Sequence, residues 1–163
     1  TIYRAEKINT HGGSIRIYVK NDSKTKVEKS VKQLLVEEDK FGIKKYQTYI
    51  KFAKKVYKIR DNVRTNITKL AKINKIIGYG SPAKATTALN FFGISNEIQS
   101  IVEDNKLKQG KYLPGMKIPI TSKEKIKTKP DLAIVLAWNF FDEIKRKNGN
   151  LAHKLINIKD LEK

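Results

Sequence analysis

The chain has 163 residues, 39% of them hydrophobic, which is enough for a domain with an apolar core. Its 35 lysines and arginines against 16 acidic residues give a net charge of +19, and the absence of cysteine excludes disulfides and thiolate metal sites. His11 and His153 lie too far apart to predict a metal site. No apolar run approaches the ~20 residues that span a bilayer, and no signal-peptide pattern is present. We therefore expect a cytoplasmic protein with no membrane partner, and the start at Thr1 rather than Met suggests a piece of a longer chain.

The positive charge has two interpretations. It can indicate an anionic partner such as a nucleotide or a nucleic acid. However, the lysines are scattered over every segment, and arginine, which specific base readout favours, is rare here. We therefore favour a compositional bias, and we keep a basic nucleic-acid-binding protein as an alternative.

The first part of the chain is predicted to hold one strand and two helices. Alternating residues in SIRIYV (14–19) predict the strand. Thr25 and Glu28 have the spacing of a capping box and predict a helix that begins there and ends at Gly42. A helical period without Pro or Gly predicts a long helix over 44–74. Because this helix lacks a leucine heptad, we expect it to pack against its own domain.

Short strands alternate with helices from residue 75 onwards. This alternation predicts an α/β, Rossmann-like fold with a mostly parallel sheet and right-handed crossovers. Helices are predicted over 82–92, 122–127 and 140–147. The predicted strands are KIIGYG (75–80), EIQSIVED (97–104), MKIPIT (116–121, an edge strand because of its proline), PDLAIVLAW (130–138) and HKLINI (153–158).

The turn after the first of these strands fits a phosphate-binding pattern, Gly78-x-Gly80-x-x-Ala83. The first glycine permits a tight turn, and the second lets a phosphate approach the backbone. The following helix presents unpaired N–H groups, and Lys84 could add a full positive charge. Asp104, at the end of the next strand, is where an acid often accepts a ribose hydroxyl. The alternative is a turn kept for helix–sheet packing alone.

Two further segments follow strands on the carboxyl edge of the sheet. Trp138 and Asn139 end the most apolar strand, where an indole could stack on a base or sugar or instead cap the core. Lys108 and Gln109 lie in the loop after the second strand and could contact phosphate. No nucleophile–base pair, carboxylate pair or metal cluster is visible, so we predict no catalytic residue and no metal in this chain.

Several segments together are similar to one family. The chain resembles the C-terminal region of bacterial S-adenosylmethionine-dependent sugar C-methyltransferases. The resemblance is carried in order by HGGSIRIYV (11–19), GYGSPAKATTALN (78–90), DNKLKQGKYLPGMKIPI (104–120) and PDLAIVLAWNFFDEI (130–144).

This resemblance implies a role in binding and orienting a nucleoside-diphosphate sugar. S-adenosylmethionine and the catalytic residues would belong to a preceding methyltransferase domain, so this chain alone would bind no cofactor and transfer no methyl group. Residues 1–21 would be a strand and linker left from that domain, and 22–163 the C-terminal domain, with a helical segment (22–74) and a sheet (75–163). An NAD(P)- or nucleotide-binding Rossmann module remains an alternative. The implied sugar-nucleotide site comprises Gly78, Tyr79, Gly80, Ser81, Ala83, Lys84, Asp104, Lys108, Gln109, Trp138 and Asn139.

Overall fold

The computed structural model describes all 163 residues, which form two compact units, Thr1–Lys55 and Val56–Lys163. No helix is both long enough and apolar enough to cross a bilayer. The first unit contains strands β1 (Ile2–Ile8) and β2 (Ser14–Val19) and helix α1 (Lys29–Phe41), and helix α2 (Tyr46–Ala71) begins in the first unit and ends in the second. The second unit also contains β3 (Ile76–Tyr79), α3 (Ala83–Phe92), β4 (Ile101–Val102), β5 (Ile120–Thr121), β6 (Leu132–Val135), α4 (Phe141–Asn148) and β7 (Lys154–Asn157).

The first unit is a hairpin joined to helix α1. The strand predicted over 14–19 is confirmed, and it pairs antiparallel with β1, which the sequence analysis missed. The Ala5 N–H donates to Ser30 Oγ at 3.3 Å, so the hairpin and α1 are linked within one unit. The origin of residues 1–21 in a preceding domain stays a prediction.

The predicted start of α1 is wrong. Thr25 caps nothing, because its hydroxyl donates to Asp22 Oδ2 at 2.9 Å, and the helix begins four residues later at Lys29. The predicted end is confirmed, since Gly42 adopts the left-handed conformation that stops a helix. The long helix is also confirmed, and Val63 and Ile67 are the residues by which it enters the core of the second unit.

The second unit confirms the predicted α/β, Rossmann-like fold. Its five strands are all parallel, in the order β5-β4-β3-β6-β7. The strand predicted over 97–104 is shorter than expected, with ladder pairing only at Ile101 and Val102, and β5 lies at the edge as its proline predicted. The helix predicted over 122–127 is a single 3-10 turn, Lys123–Lys125.

The central strands are buried on both faces. Ile76 and Ile134 point to the side that packs on α2 and α3, whereas Ile77 and Val135 point to the side where Phe141 and Ile144 of α4 pack. Because the chain runs from β3 outwards to β4 and β5 and then returns to place β6 on the other side of β3, the strand order reverses between β3 and β6. Such a reversal opens a crevice at the carboxyl ends of the two strands.

Gly78 and Gly80, in and just after β3, lie where the chain packs closely. A Cβ on Gly78 would lie 3.0 Å from Ile101 Cγ1 and 3.0 Å from Leu136 Cδ1. Gly80 has φ +84° and a Cβ there would lie 3.1 Å from the Cβ of Ala137. A side chain at either position would force its neighbours to move, so close packing favours glycine here whether or not a ligand binds.

Replacing Gly80 with Ala tests this packing role, and Gly110→Ala is the matched control. Gly110 has a similar φ of +78° but nothing within 4 Å of its missing Cβ. We expect Gly110→Ala to lower the free energy of unfolding by about 1–2 kcal/mol, the strain of left-handed backbone. Gly80→Ala should cost about 1–3 kcal/mol more through overpacking against Ala137. Urea denaturation measures both, and equal losses would contradict the packing argument.

Candidate functional site

A cleft of about 340 Å³ opens at the crevice between β3 and β6. It is formed by the carboxyl ends of β3 and β6, the loop after β4, and α4. This is where open α/β sheets bind ligands. Its ionisable lining residues are Tyr79, Glu103, Asp104, Lys108, Glu143 and Lys147.

The backbone amides of the glycine turn are already hydrogen-bonded within the protein. The Gly80 N–H donates to Val102 O at 2.8 Å, which continues the sheet pairing. The Ser81 N–H donates to Glu103 Oε2 at 2.8 Å, and the Ser81 hydroxyl donates to the same oxygen at 2.6 Å. The prediction that the Gly80 and Ser81 amides are free to receive a phosphate is therefore wrong, because the Val102 carbonyl accepts the first and the Glu103 carboxylate accepts the second.

Glu103, which the sequence analysis missed, is the centre of this edge. Its side chain is 13% exposed, and its Oε1 accepts a hydrogen bond from the Asn105 N–H at 3.0 Å. Its backbone carbonyl accepts from Gln109 Nε2 at 2.7 Å. The sequence analysis chose Asp104 because a Rossmann fold often has an acidic residue at the end of its second strand. In the structure β4 ends at Val102, so Glu103 is the first acidic residue after that strand.

Glu103 is held in its charged form. Burial alone would raise the pKa of Glu103, but the hydrogen bonds from the Ser81 hydroxyl, the Asn105 N–H and the Ser81 N–H outweigh it and lower that pKa. Lys108 adds to this effect, since its Nζ lies 3.8 Å from Glu103 Oε2. The same Nζ donates to Ser81 O at 2.8 Å. The lysine predicted to contact phosphate is thus bound to the turn itself.

Asp104 takes part in a second polar cluster, inside the cleft. The Tyr79 hydroxyl donates to Asp104 Oδ2 at 2.7 Å and accepts from Asn148 Nδ2 at 2.9 Å. Burial and the hydrogen bond to Asp104 raise the pKa of Tyr79, so its phenol stays protonated. Asp104 itself is exposed and lines the cleft, and only its Oδ2 is engaged by Tyr79. The role predicted for Asp104, accepting a hydrogen bond from a ribose hydroxyl, stays a prediction.

Lys84, Trp138 and Asn139 lie outside the lining of this cleft. Lys84 Nζ is 4.6 Å from the centroid of the Trp138 ring, a cation–π contact that keeps the ammonium beside the indole. Trp138 packs against the core, which is the commoner of the two roles weighed for it, and Asn139 is exposed. Their contact with a ligand stays a prediction without support from this geometry.

A second cavity, of about 320 Å³, shares Lys108 with the first and is also lined by Ser81. Its lining includes Ala83 at the start of α3 and Lys111 and Tyr112 of the loop. The side chain of Gln109 does not line it, and holds Glu103 O instead. The predicted site residues thus do not share one cavity: Tyr79, Gly80 and Asp104 line the first, Ser81 and Ala83 line the second, and Lys108 lines both.

Most of the chain is similar to proteins of one known family. Residues 9–157 match the family model described as the C-methyltransferase C-terminal domain. The chain is also 35% identical over 140 residues to the C-methyltransferase NovU of Streptomyces niveus. That similarity covers 83% of this chain but 33% of the relative, so the chain spans about a third of the length of the curated relative that it matches.

Glu103→Gln tests the charged turn. At about pH 7 we expect the free energy of unfolding to fall by about 1–3 kcal/mol, because charge-assisted hydrogen bonds from Ser81 are weakened. The pKa of Glu103 is lower in the folded protein, so its stabilisation is present above the unfolded value of about 4.3 and is lost as the pH falls through the folded pKa. The difference between wild type and variant should therefore shrink below about pH 4 in urea denaturation.

The control for this variant is Glu143→Gln. Glu143 lies on the same cleft but forms an exposed ion pair with Lys147, at 2.6 Å and one helical turn away. Such exposed pairs are screened by solvent and contribute little to stability, so Glu143→Gln should lower the free energy of unfolding less than Glu103→Gln does. If the two variants lowered the free energy of unfolding equally, the contacts of Glu103 with the turn would stabilise the fold no more than an exposed ion pair does.

Proposed function

The chain belongs to the C-methyltransferase C-terminal domain family, and we propose that it binds and orients a nucleoside-diphosphate sugar for an S-adenosylmethionine-dependent sugar C-methyltransferase. Methyl transfer would take place in another part of that enzyme, since the chain corresponds to about a third of its relative. S-adenosylmethionine, bound elsewhere, would supply the methyl group. This chain would hold the sugar that receives it.

The observation that carries this proposal is the polar cleft at the crevice between β3 and β6. Asp104 is oriented by the buried Tyr79 and can accept a hydrogen bond from a sugar or ribose hydroxyl. Lys147 lies at the same cleft, where it pairs with Glu143 at 2.6 Å, and a phosphate would compete with that exposed carboxylate for its ammonium. A ligand with both hydroxyl groups and phosphates would match this mixture better than a purely anionic one.

The size of the cleft supports a partial site. Its volume of about 340 Å³ is near the lower end of the roughly 300–1,000 Å³ that ligand pockets occupy. A nucleotide sugar is large for this space, so we propose that a second domain covers the rest of the ligand. The contribution of this chain would be positioning, which can supply several kcal/mol of barrier reduction when the reacting carbon is held in line with the methyl group.

An apolar face of the hairpin suits contact with such a domain. Ile15, Ile17 and Val19 alternate along β2 and are 50%, 55% and 61% exposed. Three exposed branched residues on one strand face are unusual for a surface left in water. We propose that the preceding methyltransferase domain packs on this face. We also propose that the whole protein is located in the cytoplasm.

The glycine turn argues against the dinucleotide alternative. A nicotinamide or flavin dinucleotide would place its pyrophosphate on the amides of this turn. Glu103 occupies the Ser81 amide and Val102 occupies the Gly80 amide. A nucleotide sugar can instead reach the cleft without using these donors.

Calorimetric titration with a dTDP- or UDP-sugar tests the proposal. We expect Asp104→Asn to weaken binding about tenfold, because a charged acceptor for a hydroxyl becomes a neutral one. The fold should be kept, since Asn can still accept the Tyr79 hydrogen bond. Asp142→Asn is the control, because Asp142 is exposed on α4 and does not line the cleft.

Two results would contradict this function. One is equal affinity of the Asp104 and Asp142 variants for the sugar nucleotide. The other is tight binding of NADH by wild type together with no response to any nucleoside-diphosphate sugar.

A further inference from the structure

The turn after β3 has the parts of an anion site. Two donors of one residue, the N–H and the hydroxyl of Ser81, converge on a single oxygen at 2.8 and 2.6 Å. Helix α3 begins two residues later, and the Lys108 ammonium lies at the other side of that oxygen. The oxygen belongs to Glu103, so a carboxylate of the chain takes the place that a phosphate takes in related turns.

We propose that Glu103 is a permanent resident anion of the glycine turn, and that it determines ligand specificity there by excluding phosphate. This inference concerns the turn alone and does not depend on which ligand the neighbouring cleft binds. It also differs from a general acid–base role, since the carboxylate acts by occupying donors and by repelling a second anion.

The contacts around Glu103 hold it in place from several directions. Its second oxygen accepts the Asn105 N–H at 3.0 Å, and its carbonyl accepts Gln109 Nε2 at 2.7 Å. A carboxylate that swung out to admit a phosphate would break the bonds to Ser81 and Asn105 together. The occupation is therefore a fixed feature of the fold rather than one of two alternating states.

The nearest cation is committed in the same way. Lys108 donates to Ser81 O at 2.8 Å and lies 3.8 Å from Glu103 Oε2. Its charge is thereby partly neutralised by the resident carboxylate, and little is left for a second anion. The Ser81 N–H, the Ser81 hydroxyl and the Lys108 ammonium are thus all engaged by Glu103 or by the turn itself.

The test is a titration of the nitrogen-15-labelled chain with inorganic pyrophosphate at constant ionic strength, followed at the Ser81 amide by NMR. In wild type this amide should not shift, even if scattered lysines bind pyrophosphate elsewhere. In Glu103→Ala it should shift and saturate, with half-saturation at a pyrophosphate concentration roughly tenfold or more below the highest one that leaves the wild-type amide unshifted. Acetate should produce the same shift in this variant, because it restores a carboxylate.

Two further variants make the result decisive. Glu143→Ala removes a carboxylate from the same cleft without opening the turn, and its Ser81 amide should behave as in wild type. Glu103→Gln keeps the shape of the side chain should the alanine variant not fold, and should admit pyrophosphate more readily than wild type. The proposal is overturned if Ser81 responds to pyrophosphate in wild type, or if neither Glu103 variant responds more than wild type does.

Discussion

The carboxylate of Glu103 joins the turn after β3 to the end of β4, and the arrangement of the whole carboxyl edge follows from that contact. Ser81 is held from one side by Glu103 and from the other by the Lys108 ammonium on its carbonyl. Gln109 then attaches the following loop to the same glutamate. The turn, the loop and the start of α3 therefore form one hydrogen-bonded assembly, and the cleft between β3 and β6 is shaped by it.

The cleft does not share the large positive charge of the chain as a whole. The chain carries +19 overall, yet three of the 16 acidic residues, Glu103, Asp104 and Glu143, line this one cavity. Glu143 and Lys147 neutralise each other across one helical turn. The charges that line the cleft are thus of both signs, and under the proposed function a ligand would be recognised here by individual hydrogen bonds rather than by the net positive charge of the chain.

The fold was predictable from the sequence where local patterns carry the physical cause. The left-handed glycines that stop α1 and α3, and the alternation of strands with helices, both act within a few residues. The start of α1 was not predictable, because Thr25 had two partners available and bonded Asp22 instead of the helix. The choice between Glu103 and Asp104 was not predictable either, since adjacent residues point to opposite sides and only the end of β4 decides which one meets the turn.

The glycine pattern itself shows how a motif can indicate a fold without indicating its ligand. Gly78 is needed because Ile101 and Leu136 fill the space where its Cβ would be, and Gly80 because Ala137 does so beside a backbone with positive φ. Both requirements come from three closely packed parallel strands and would persist in a protein that bound nothing. What distinguishes a phosphate site from a structural turn is the state of its amides, and here Val102 and Glu103 have taken them. Under the proposed function, ligand recognition by this domain would then rest on side chains such as Asp104, which line the cleft at the same edge, rather than on the amides of the turn.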